Sequence, residues 1–279
     1  MHIRITLMVI AGMATGAGLA TPALAGETPF NTLYTAEVLP AGEAELGQTE
    51  IARRGKPHQS YDAVESRTEI EYGLSSDFQL AGYANYTWQR ERFAGAAAQS
   101  GLAFTSFSLE AIYQVLDPDT RPFGLALYIE PAYGPDSREI EGRVLLQKNL
   151  FDDRLVLAAN AVLEHEWTRD AGLWHKGTEL RALLGAAWRV APGWSAGAEF
   201  EAKREYDGIL VWGRSAPAAD SFFIGPTLNY ATEDYSITLG AQAQIPWAAN
   251  LSGKPGETVG GFAHEEERYR VQLRIEADL

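Results

Sequence analysis

The chain ends in "YRVQLRIEADL" (269–279), where every odd position is apolar or aromatic and every even one is charged or amide. Successive side chains on a strand point to opposite faces, so this rhythm predicts one strand with an apolar face and a wet face. "VESRTEIEYGL" (64–74) repeats it, with Val64, Ser66, Thr68, Ile70, Tyr72 and Leu74 alternating with Glu65, Arg67, Glu69 and Glu71. Comparable stretches span 44–54, 78–88, 102–116, 123–130, 138–147, 154–167, 178–190, 194–206, 221–231 and 235–245. About twelve strands result, each near the 9–11 residues with which a tilted strand crosses a bilayer.

The connections sharpen that expectation. Compact segments at 75–77, 117–122, 149–153, 191–193 and 232–234 are built from Asp, Asn, Pro, Gly and Ser, the residues turns require. Between them fall 55–62, 89–101, 131–137, 168–177, 207–220 and 246–268, mostly longer. Short turns on one side and longer loops on the other are the plan of a bacterial membrane barrel. Aromatic residues gather at both strand ends: Trp88, Trp167, Phe222, Trp247 and Tyr269 on the long-loop side, and Tyr72, Phe78, Tyr113, Phe123, Trp188, Trp194, Tyr230 and Tyr235 beside the short turns. Two such girdles fit two membrane interfaces. A soluble β-sandwich also alternates, but it buries its apolar face and has no reason to alternate loop lengths. The predicted fold class is therefore all-β, a transmembrane antiparallel β-barrel of about twelve strands.

The N-terminus supplies a compartment. Arg4, an apolar run and the small-x-small step Ala23-Leu24-Ala25 read as a secretory signal peptide over residues 1–25. Residues 26–42 are expected to form an N-terminal periplasmic segment, and 43–279 the barrel. Beyond residue 25 no run of about 18 apolar residues is present, which excludes a helical membrane protein. The 37 acidic residues against 23 basic ones, a net charge of −14, argue against nucleic acid as a partner. The absence of cysteine removes disulfides, Cys-ligated metals and thiol catalysis.

"LPAGEAELGQ", "RTEIEYGLSSDFQLAGYANY", "LDPDTRPFGLALYIEPAYGP" and "LQKNLFDDRLVLAANAVLEHE" resemble a family of uncharacterised proteobacterial outer-membrane barrel proteins. More loosely, the chain is similar to barrels regarded as transporters beside aromatic-degradation pathways. The resemblance covers most of the chain after the signal peptide and implies a barrel in the bacterial outer membrane, in contact with its lipid and lipopolysaccharide. It carries no catalytic residues and no cofactor. It also implies that Tyr269–Leu279 is what the barrel assembly machinery recognises. Two positions depart from the pattern: Ala44, where a bulky side chain is expected in the opening strand, and Leu279, where assembly signals end in an aromatic.

If the apolar face meets lipid, alternation points the polar face into a lumen whose backbone cylinder is roughly 24 Å across. Carboxylates dominate that face. Glu69, Glu71, Glu110, Glu199 and Glu201 are the candidate pore-lining acids, with Arg143, Arg181 and Arg274 as candidate pore-lining cations. Rows of Glu and Arg can pair and fill a barrel, or leave unpaired carboxylates that favour cations. The expected function is a passive channel for small solutes with a weak cation preference. A closed barrel that displays its loops is the alternative, and by length and composition 211–220 and 250–261 are the candidate lids. A third reading is an outer-membrane lipase using His58 with Ser60 or His165 with Glu166, although neither pair forms a recognisable nucleophile–base motif. His264 followed by Glu265, Glu266 and Glu267 offers metal-ligand types at consecutive positions, which on a strand point apart, so a solvated acidic loop edge is expected there.

Overall fold

The computed structural model describes residues 28–279 except 57–58, 94–96, 212–214, 216, 250, 252–257 and 264–265. The expected signal peptide, His58, His264, Glu265 and much of the two candidate lids lie outside the described residues.

Twelve strands close into one antiparallel barrel. The first half comprises β1 (Ala44–Lys56), β2 (Gln59–Ser75), β3 (Phe78–Phe93), β4 (Gln99–Leu116), β5 (Gly124–Tyr133) and β6 (Ser137–Leu150). The second comprises β7 (Leu155–Asp170), β8 (Leu173–Ala191), β9 (Trp194–Asp207), β10 (Pro217–Ala231) and β11 (Tyr235–Gln244). A two-stranded ribbon, β12 (Thr258–Val259) with β13 (Phe262–Ala263), precedes the closing strand β14 (Tyr269–Asp278). Each barrel strand pairs with its neighbour in sequence, and β14 pairs with both β11 and β1. Leu279 finishes the seam by donating its backbone N–H to Ala44 O at 2.9 Å. Among the described residues no helix is long and apolar enough to cross a membrane.

Period-two patterning sorts the two faces as expected. Leu46, Ile70, Leu109, Leu127, Ile129, Leu163, Leu184, Leu239 and Leu273 are large apolar side chains exposed on the outside. Glu69, Ser108, Glu110, Glu141, Glu199, Glu201 and Arg270 are buried within. An apolar band around a closed barrel is the surface that hydrocarbon covers. At the short-turn end Trp194, Tyr230 and Tyr235 form a run of ring contacts at 4.8 and 6.1 Å, and Trp188 packs against Phe151 at 5.7 Å.

One expectation changes. Several segments expected as long loops are extensions of strands. Residues 168–177 consist of the ends of β7 and β8 joined at Ala171–Gly172, whose φ angles of 47° and 84° suit the twist of a tight hairpin. The hydrophobic rhythm fades there because the apolar Leu173 and Trp174 are adjacent, hence on opposite faces, among polar neighbours, while backbone pairing continues.

Candidate functional site

Pro40 to Glu43 form a turn closed by Glu43 N–H donating to Pro40 O at 3.1 Å. Gly42 takes φ +89° at the third position, where a type II turn needs a residue free of Cβ. That turn reverses the chain at the short-turn mouth. Residues 28–39, expected to lie on the periplasmic side of the barrel, instead cross the half of the lumen nearest the short turns.

The barrel wall receives this segment through its backbone. Thr32 N–H donates to Glu199 at 3.2 Å, Asn31 N–H donates to the same carboxylate, and Thr32 Oγ1 donates to it at 2.6 Å. Asn160 grips both sides of one peptide position, accepting from Tyr34 N–H at 2.8 Å and donating to Tyr34 O at 2.9 Å. Ala36 N–H donates to Gln147 and Leu39 N–H to Gln79, while Gln114 donates to Ala36 O and Gln272 to Asn31 O, all at 2.8–2.9 Å. Arg274 Nη2 donates to Thr28 O and Phe30 O, both at 2.9 Å. An amide side chain offers a donor and an acceptor together, so a ring of them replaces the strand edge that an irregular segment lacks.

Apolar anchors fix the register. Phe30 and Leu33 are fully buried against Ala158, Val162, Leu183 and Ala187, each worth about 1.5–3 kcal/mol. Ala36 and Val38 pack against Ile112, Ala126, Tyr128 and Leu145.

Towards the long-loop end, a belt of ion pairs runs along more than half of the wall. Arg143 pairs with Glu141; Arg181 joins Glu141, Glu164 at 2.7 Å and Glu179 at 2.9 Å. Lys203 links Glu179 to Glu266, the latter at 2.6 Å, and Arg270 joins Glu266, Glu267 and Glu201. Arg53 completes it, 2.6 Å from Glu267 and 2.7 Å from Glu65. At the level of Asn85, β3 and β4 offer amide and hydroxyl groups instead, with Asn85 donating to Ser106 at 3.1 Å and Ser108 at 3.3 Å.

Glu266 and Glu267 are therefore buried partners of the belt, which corrects the expected solvated edge. Burial alone would raise both carboxyls. Lys203 and Arg270 beside Glu266, and Arg270 and Arg53 beside Glu267, outweigh it and hold both below the usual carboxylate range. A depressed folded value stabilises above the unfolded value near about 4.3, and the gain is lost as pH falls through the folded value. Amide exchange at 266–268, corrected for intrinsic rate, is expected to stay constant from neutral pH to about 5 and to quicken only below about 4. Loosening already near pH 6 would contradict this pairing.

Between segment and belt lies a cavity of about 410 Å³. Its lining includes ten carboxylates, among them Glu65, Glu130 and Glu139, against six arginines.

A family model, described as a family of unknown function (DUF6662), matches residues 22–278. The chain belongs to that family. No curated protein matches the sequence. Among solved structures, this DUF6662 barrel is similar to the COG4313 outer membrane channel from Pseudomonas putida F1, with TM-score 0.59 and 14% identity over 88% of this chain and 98% of that one. The NanC porin gives TM-score 0.53 and 11% identity over 84% of this chain and 100% of its own. The β domain of the Bordetella autotransporter BrkA gives 0.51 and 12% over 86% and 100%. These likenesses show the fold, a closed barrel of the outer-membrane kind.

Within the DUF6662 barrel all eight sequence-derived site residues point inward, but they divide. Glu69, Glu71, Glu201, Arg143, Arg181 and Arg274 line the cavity. Glu199 holds the segment. Glu110 accepts from the Tyr83 hydroxyl at 2.5 Å and lies 3.4 Å from that of Tyr34. Arg143 donates to Thr32 O at 3.3 Å and sits over the rings of Tyr34 and Tyr128. Ser60 is exposed, and His165 Nδ1 lies 3.0 Å from Thr178 Oγ1 with Trp167 against its ring. Sequence reasoning missed Asn31, Thr32, Tyr34 and the receiving amides Gln79, Gln114 and Gln147. The available signal was that these amides, with inward Ile112, Leu145, Val162 and Leu183, interrupt an otherwise charged face near the short turns.

Proposed function

We propose that the protein is an outer-membrane channel for small solutes that favours cations, with residues 28–39 narrowing its short-turn half. The observation that carries this reading is the acidic cavity: its carboxylates outnumber its cations, and fixed negative charge in a confined aqueous path attracts cations. The apolar outer band and the fold shared with proteins described as a channel and a porin support a place in the outer membrane. The short turns then face the periplasm, lipid and lipopolysaccharide surround the band, and β14 is what the assembly machinery engages. A planar bilayer with a salt gradient tests it. Discrete conductance with a cation-directed reversal potential is expected; an anion-directed potential would sink the selectivity. The crossing segment also favours a second reading, a barrel closed in its resting state. Protein shown to be inserted but silent would support that reading over conduction.

A further inference from the structure

One patch of the lumen wall carries charge that neither the segment nor the belt neutralises. Gly47 of β1 stands opposite Glu69 of β2 on one side and Glu276 of β14 on the other. Two residues along, Glu45 stands opposite Glu71 and Asp278. Gly47 has no side chain, and the Glu69 carboxyl occupies the vacated space, its Cδ only 2.6 Å from where a Cβ would be. One oxygen each from Glu69, Glu71 and Glu276 falls within 4.8 Å of the others. Glu45 and Glu69 are only 7% and 5% exposed, and among the described residues neither makes a hydrogen bond or ion pair.

Like charges opposite one another on adjacent strands repel, and an unpaired buried carboxylate is costly. The nearby cation, Arg274, lies 3.0 Å from Glu276 and also holds Thr28 O and Phe30 O. Arg67, the other cation acting on Glu69, is already paired with Glu130 at 2.7 Å, and two guanidiniums cannot balance four carboxylates.

The geometry points to a site for a hard divalent cation of the calcium class, ligated by Glu69, Glu71 and Glu276 with Glu45 beside them. Calcium–oxygen bonds of about 2.3–2.6 Å allow two ligand oxygens to stand up to about 5 Å apart, which these three satisfy. The donors are all oxygen, which disfavours zinc, and their irregular approach from two strands disfavours the strict octahedron of magnesium. Glu139, Glu141 and Glu164 meet the same spacing, but arginines already occupy two of those three, Glu141 and Glu164, against only Glu276 of the first trio. That second trio is the internal control. The site does not depend on whether the lumen conducts.

Calorimetric titration of the refolded, chelator-treated protein in detergent with calcium chloride tests the assignment. Saturable binding of one ion is expected. The double variant Glu69→Gln, Glu71→Gln should weaken it at least about tenfold, and Glu139→Gln should leave it unchanged. Gly47→Ala retains every carboxylate but displaces Glu69, so it should weaken binding too, and it serves if the double variant fails to refold. No saturable calcium binding by the unaltered protein overturns the assignment. So does binding that survives the altered site or is lost with Glu139→Gln.

Discussion

Deleting residues 28–39 is expected to raise single-channel conductance several-fold while leaving the barrel assembled. The strands pair with one another through a closed ladder that does not include the segment, so the wall survives its loss. The segment fills the short-turn half of the lumen with Phe30, Leu33, Ala36 and Val38. Without it, Gln79, Gln114, Gln147 and Asn160 regain water as their partner, and the path widens. A graded version follows from the anchors. Phe30→Ala removes about 3–5 kcal/mol of buried ring, and Glu199→Ala removes the acceptor shared by Asn31 and Thr32. Both should give intermediate or flickering conductance. Recordings of the deletion that match the intact chain would show that the segment does not limit flow.

The second large effect concerns the outer face. Ile70→Arg and Leu239→Arg should each impair insertion and assembly, at about 2–4 kcal/mol for a cation near the bilayer midplane. Ile70 is exposed mid-strand opposite Leu46 and Gly82, and Leu239 lies between Leu228 and Leu273. The same-face neighbours two and four residues away on each strand carry no carboxylate. Refolding into lipid vesicles, followed by gel mobility before and after heating, reads the outcome. Normal insertion of both variants would mean that this face does not meet hydrocarbon.

All twelve barrel strands were legible because membrane barrels demand opposite chemistry on opposite faces. In β14 and β2 the demand is met at nearly every position, so the strand and its two faces follow from the letters alone. Legibility failed where that demand relaxes. Beyond the apolar band the ends of β7 and β8 lose the alternation, with Leu173 and Trp174 adjacent among polar residues, and residues 168–177 resembled a loop. Inside, the stretches around Leu145, Val162 and Leu183 are apolar on both faces, and the amides beside them looked like ordinary polar lining. Both features receive the crossing segment.

The sequence by itself determined the architecture: a period of two, turn residues between the strands, aromatic girdles at their ends and an acidic inner face. Only the tertiary structure decided what occupies that inner face. Asn31 meets Glu199 and Tyr34 meets Asn160 across 168 and 126 residues of chain, and the Arg53-to-Arg143 belt unites strands from both halves. A segment held through its backbone needs no periodicity of its own. Pairing across a lumen depends on which strands closure brings face to face, and local pattern carries no record of that.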